Sequence, residues 1–151
     1  MKRFCTLVTV VLLLAGCASG TGGGSDASDA SKVKIRIQQL DNENGYDFVR
    51  ARSVNIRYAL YATNTTASPV TLSRVEFRTI GTGAYSLAPT SASLNIPIGP
   101  TETIRTVISA WGNSQGGNAG SKEPVTLHGT AYLTGLTGPF VQIFTENLQQ
   151  R

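Results

Sequence analysis

From Val33 onward the chain alternates apolar and polar residues with a period of two, and nothing else in it narrows the possible folds as much. Val33, Ile35 and Ile37 share one parity while Lys34, Arg36 and Gln38 share the other; Val54, Ile56, Tyr58, Leu60 and Ala62 then repeat the pattern against Asn55, Arg57 and Thr63. Successive side chains of an extended strand point to opposite faces, so such runs read as half-buried strands. Further strands are predicted over Val70 to Ile80, Ala84 to Leu87, Ser93 to Ile96, Thr103 to Trp111, Val125 to Leu133 and Phe140 to Thr145. Val70 and Leu72 are out of parity with Val75 and Phe77, which requires a bulge or bend near Ser73 and Arg74 if both pairs are to be buried. The breaks carry turn chemistry, at Asn44-Gly45, Ser68-Pro69, Gly81-Thr82-Gly83, Gly99-Pro100 and Gly135-Leu136-Thr137-Gly138. No stretch of the domain shows a capped helical period. About seven or eight short strands at this spacing predict an all-β, two-sheet antiparallel sandwich, with a closed β-barrel as the alternative.

A different kind of segment precedes the domain. Met1-Lys2-Arg3 is followed by an apolar run from Phe4 to Ala15, interrupted only by Cys5, Thr6 and Thr9, which is the layout of a secretory signal peptide. A spanning helix needs about 20 apolar residues, and this run gives way instead to Ser19-Gly20-Thr21-Gly22-Gly23-Gly24. Leu14-Ala15-Gly16-Cys17 resembles the lipobox of bacterial lipoproteins. The resemblance implies cleavage before Cys17, acylation of its thiol and new amine (palmitate among the chains), and a membrane anchor. With several chains at about 0.8 kcal/mol per buried methylene, such an anchor is effectively permanent. Ala18 stands where a retention signal would place Asp, which resembles lipoproteins exported to the outer membrane, facing the periplasm or the surface. Residues 19 to 31 are Gly, Ser, Thr, Ala and two Asp, a flexible tether with a reach of about 20 Å. Three parts are therefore expected: a leader over 1–16, a lipidated Cys17 and linker over 17–31, and one sandwich domain over 32–151.

Loss of the leader removes two of the 13 Lys+Arg and none of the 9 Asp+Glu, which lowers the net charge from +4 to +2. So small an excess argues against a nucleic-acid partner, which selects a much larger and clustered basic surface. Cys5 leaves with the leader and Cys17 is consumed by lipid, so no thiol remains for a disulfide, a metal or a nucleophile. His128 is the only histidine, which removes histidine-rich metal sites and two-histidine mechanisms; it alternates with Leu127 and reads as a solvent-facing or hydrogen-bonded strand residue. The glycine-rich stretch from Gly112 to Gly120 lacks the Gly-Lys-Ser/Thr ending of a phosphate loop and reads as a plain connection. The polar run Asp41-Asn42-Glu43-Asn44-Gly45-Tyr46-Asp47 has its glycine one place early for a calcium loop and Arg52 in the twelfth position, so it too reads as a connection. The expectation is a protein that is not an enzyme and uses no cofactor or metal.

Asn64-Thr65-Thr66 followed by Pro69-Val70-Thr71-Leu72 and Val75, and later Ile96-Pro97-Ile98-Gly99-Pro100 leading into Thr103 and Ile104, is similar to immunoglobulin-like and fibronectin-like envelope domains. It also resembles the water-stress domain of late embryogenesis abundant (LEA14-type) proteins. The resemblance implies an immunoglobulin-like β-sandwich and carries no functional site. Asn64-Thr65-Thr66 is in addition a formal glycosylation sequon, read here as turn chemistry.

Three residues are candidates for touching a partner. Trp111 closes a predicted strand just before the glycine-rich connection, where an indole can anchor an interface. Sandwich cores often bury a lone tryptophan, however, and that expectation weighs more. Tyr61 lies out of phase with inward Tyr58 and Leu60. Arg57 would share an outer face with Lys34 and Arg36 if the first two long strands pair, forming a patch for phosphate or carboxylate groups, although outward charges on strands often only guard edges. The expected function is a lipid-anchored envelope lipoprotein whose non-catalytic sandwich is a protein-interaction or structural module. Its partners would be the membrane, through Cys17, and another envelope protein, met through the connections around Asp41 to Arg52 and Gly112 to Glu123. A stress-protective LEA14-like domain is the alternative, and an envelope enzyme or a binder of anionic ligands ranks below both.

Overall fold

The computed structural model describes residues 32–40, 52–114 and 123–149. The leader, Cys17, the tether, the acidic run and most of the glycine-rich connection lie outside the described residues. Eight strands follow one another: β1 (Val33–Leu40), β2 (Ser53–Asn64), β3 (Val70–Ile80), β4 (Tyr85–Leu87), β5 (Thr90–Ile98), β6 (Thr103–Ser114), β7 (Val125–Gly135) and β8 (Gly138–Leu148). They form two four-stranded sheets, ordered β1-β2-β6-β4 and β5-β3-β7-β8, with every pairing antiparallel. The fold is an all-β, immunoglobulin-like two-sheet sandwich, and the separate sheets rule out the closed barrel.

The period-two pattern does the folding work. Inward residues of the first sheet, among them Ile35, Ile56, Tyr58 and Leu60, meet Leu72, Val75, Leu127 and Leu133 of the second in one core. Tyr58 sets its ring edge-on to Phe77 at 5.7 Å and 76°. Burying a phenol requires a partner for its hydroxyl. Tyr58 donates to the Tyr85 hydroxyl at 3.0 Å, and Tyr85 donates to Gln39 Oε1 at 2.6 Å, so a short polar chain crosses the apolar interior without an orphaned group.

The irregularity required by the parity of β3 is present. Between Leu72 and Arg74 the ladder slips on both sides, one residue longer in β3 than in β7 and one residue longer in β5 than in β3. Asn95 of β5 takes up the extra length in the left-handed region, at φ 52. Several strands outrun their predicted limits, β7 reaching Gly135 and β8 running from Gly138 to Leu148. β5 starts at Thr90, and β6 continues to Ser114 because Gly112 is part of the sheet; a Cβ there would lie 2.7 Å from Ile56 Cδ1.

The topology gives the sandwich two poles. At one, Thr65 donates from its backbone nitrogen and its hydroxyl to the Lys32 carbonyl, each at 2.9 Å, so the chain enters the fold there. The opposite pole holds the ends of β1 and β6 and the starts of β2 and β7, with Ser114 N donating to Arg52 O at 3.1 Å and Ala84 N to Glu123 O at 3.3 Å.

Candidate functional site

The register of β1, β2 and β6 builds one outward face from residues far apart in sequence. Arg36, Tyr61 and Arg105 stand in a single cross-strand row, and Lys34, Thr63 and Thr103 form the next row toward the Lys32 pole. Arg105 reaches over Tyr61, its guanidinium carbon 6.0 Å from the ring centroid, and the Thr63 and Thr103 hydroxyls are hydrogen-bonded at 2.9 Å. The Arg36 side chain is 81% exposed; Glu146 of β8 stands 4.0 Å from its Nε at the margin of the face. No outward position of these three strands carries an Asp or Glu.

All three candidate contact residues belong to this face, in two groups. Trp111 pairs with Asn55, one row beyond the Arg57–Ser109 pair, so Trp111 and Arg57 are diagonal neighbours toward the far pole. Tyr61 belongs with the arginines of the other half. Arg105 and Trp111 are six positions apart, about 20 Å along a strand. Trp111 is 64% exposed, which corrects the expectation of a core tryptophan. Ile108 and Ala110 hold the inward parity of β6, and the large aromatic places in the core belong to Tyr58, Tyr85 and Phe77. Arg105 and Val107 join the face with the same parity as Trp111 and were legible on that ground alone.

The outer face of the other sheet ties down one of its arginines at short range. Arg74 lies 4.2 Å above the Tyr132 ring and 3.4 Å from Glu76, which also accepts the Tyr132 hydroxyl at 2.9 Å. His128 sits there opposite Arg78 and Thr145, with Nδ1 3.1 Å from the Thr145 hydroxyl. Among the described residues no group of three or more His, Cys, Asp or Glu comes together. A cavity of about 560 Å³ opens where the edge strands β1 and β8 approach, with Arg36, Gln39, Glu146 and Leu148 on its walls; His128 is not part of it.

Asn64 is the one fully buried polar residue among those described, and its role is structural. Its amide nitrogen donates to Ser68 O at 2.8 Å and Gly99 O at 3.0 Å, while its Oδ1 accepts from Thr66 N at 3.0 Å and Thr66 Oγ1 at 2.8 Å. Glu102 completes the connection by accepting from Gly99 N at 2.6 Å and from Asn64 N through its carbonyl at 2.9 Å. The β2–β3 and β5–β6 turns are thereby tied together at the Lys32 pole.

No family model matches the sequence, and no curated protein matches it. Solved structures do match. The structural-genomics target SoR45 aligns with a TM-score of 0.58 at 11% identity, over 80% of this chain and 89% of that one. A Bordetella pertussis protein described as ApaA aligns with a TM-score of 0.52 at 15% identity, over 78% and 91% of the two chains. At such identities the likeness is one of fold. A protein described as late embryogenesis abundant is also matched, at a TM-score of 0.40 and 11% identity over 83% of this chain and 76% of that one, which adds nothing to the fold assignment.

Proposed function

We propose that this chain is a lipid-anchored envelope lipoprotein whose sandwich acts by binding, as a protein-interaction module, with Trp111 and Arg57 as its contact residues. The observation that carries the reading is an indole 64% exposed on a regular sheet face, beside an arginine and remote from the pole where the chain enters. Large, rigid aromatic and arginine side chains supply most of the energy of protein interfaces when a partner covers them. The anchor rests on the lipobox and the leader. A tether between Cys17 and Lys32 would then hold the entering pole toward the membrane and leave the Trp111 pole to reach a second protein.

Two measurements test the two halves of this reading. Cys17→Ser should abolish incorporation of labelled palmitate and make the protein extractable from membranes by high salt; palmitate labelling of the variant at the wild-type level, or none in the wild type, would overturn the anchor. A photo-crosslinking residue in place of Trp111 should give one discrete protein adduct in the intact envelope. An adduct from Ser93 on the other sheet, with none from position 111, would overturn the assignment of the contact face.

A further inference from the structure

The half of the β1-β2-β6 face nearest the Lys32 pole has a different chemistry from the Trp111 half. We infer that Lys34, Arg36 and Arg105, gathered around Tyr61, form a docking surface for the anionic headgroups of a phospholipid bilayer. This inference rests on the reading of the chain as membrane-anchored, and it assigns that anchored domain a second, reversible contact.

The cations come from three positions on two different strands, and only the register brings them together: Arg36 and Arg105 flank Tyr61 in one row, with Lys34 a row away. Their surroundings are hydroxyls and an aromatic ring; among the described residues Glu146 is the carboxylate that an ion pair brings to the margin, with its side chain 24% exposed. The contrast with the opposite face is instructive, since Arg74 there is stacked and paired at short range with Glu76. Arg36 and Tyr61 border the cavity at the β1–β8 margin, but Lys34 and Arg105 stand outside its lining, so the three cations spread over the open sheet face and suit an extended, multiply charged partner better than a discrete ligand held in that pocket. Tyrosine is at home at the membrane–water boundary, where its ring meets the acyl region and its hydroxyl stays wet. Each Lys or Arg held at an anionic surface attracts it within a Debye length, and the effect fades as salt rises. The location fits as well: Lys34 is two residues from Lys32, where the chain from Cys17 enters.

The test uses the chain from residue 17 with Cys17→Ser, so that lipidation contributes nothing, sedimented with phosphatidylcholine vesicles prepared with and without phosphatidylglycerol. The protein should partition onto the vesicles that contain phosphatidylglycerol and leave them as salt is raised. Arg36→Gln and Arg105→Gln should each weaken partitioning by about 5-fold, with far-ultraviolet circular dichroism unchanged. Arg78→Gln, on the outer face of the other sheet, should partition as the parent does. Equal sedimentation with both vesicle types, parental binding by the double variant Arg36→Gln/Arg105→Gln, or binding to dextran sulfate with none to vesicles would each overturn the inference. Because the anchor is absent from this assay and is read separately by palmitate labelling in cells, failure of one is distinct from failure of the other.

Discussion

Asn64 shows how much a single residue can do in a sandwich with no cysteine after position 17. Both ends of its carboxamide are engaged, and the atoms it serves belong to the β2–β3 and β5–β6 turns, which Thr101 N also links by donating to Thr66 O at 3.3 Å. Removing the amide leaves the Thr66 N–H without its acceptor and takes one of two donors from each of Ser68 O and Gly99 O, which keep Thr66 Oγ1 and Glu102 N; an unmade part-buried hydrogen bond costs more than a made one contributes. Asn64→Ala should lower unfolding stability by about 3 kcal/mol in urea titration. Thr66→Val, which loses only its hydroxyl contacts, should cost about 1 kcal/mol. A shift within about 0.5 kcal/mol for Asn64→Ala would show that the tie is dispensable. Only part of this was legible. Asn64-Thr65-Thr66 announces a turn, but the Gly99 carbonyl lies 35 residues downstream, and nothing local points to it. Trp111 illustrates the reverse case: it shares the outward parity of Arg105 and Val107 in β6, while the habit of sandwiches argued for the core.

At the level of strands, period-two alternation was enough to find each element and even to require the bulge at Ser73. It could not give strand order, because backbone donors and acceptors are the same in every antiparallel pair; the pairing of β2 with β6 is decided by packing. Gly129 shows what that packing demands. It faces inward in β7, opposite Phe144 of β8, and a Cβ built on it would overlap the Phe144 ring and lie 2.6 Å from the Glu76 carbonyl oxygen of β3. Three strands thus approach closely because one of them lacks a side chain at that point. Gly129→Ala should destabilise by about 2 kcal/mol, an overpacking cost. Phe144→Leu alone should cost about 1 kcal/mol, and the double variant less than the sum by at least about 0.5 kcal/mol, since the smaller side chain yields to the new methyl. Strict additivity in thermal or urea unfolding would show that the Glu76 backbone, and not the Phe144 ring, sets the limit.

For the molecule as a whole, if the chain is anchored as proposed, the arrangement of poles makes the tether matter for recognition and not for stability. β2 and β6 are 12 residues each, so the sandwich is about 40 Å long, and Trp111 stands well toward the end away from Lys32. A chain held at Cys17 with its tether can turn the long axis toward or away from the membrane and carry Trp111 through a range widened by the tether's reach of about 20 Å. Residues 19 to 31 contain no large apolar side chain with which to join the core. Their deletion should therefore change unfolding stability by less than about 1 kcal/mol and leave the protein in the membrane fraction. The same deletion should reduce the Trp111 crosslink severalfold, because the pole opposite Lys32 loses the freedom to reach a partner at a variable distance. An unchanged crosslink yield would mean that the partner meets Trp111 at a fixed height, and the tether would then have no part in recognition. A large loss of stability would instead show that the segment packs on the sandwich, contrary to its composition.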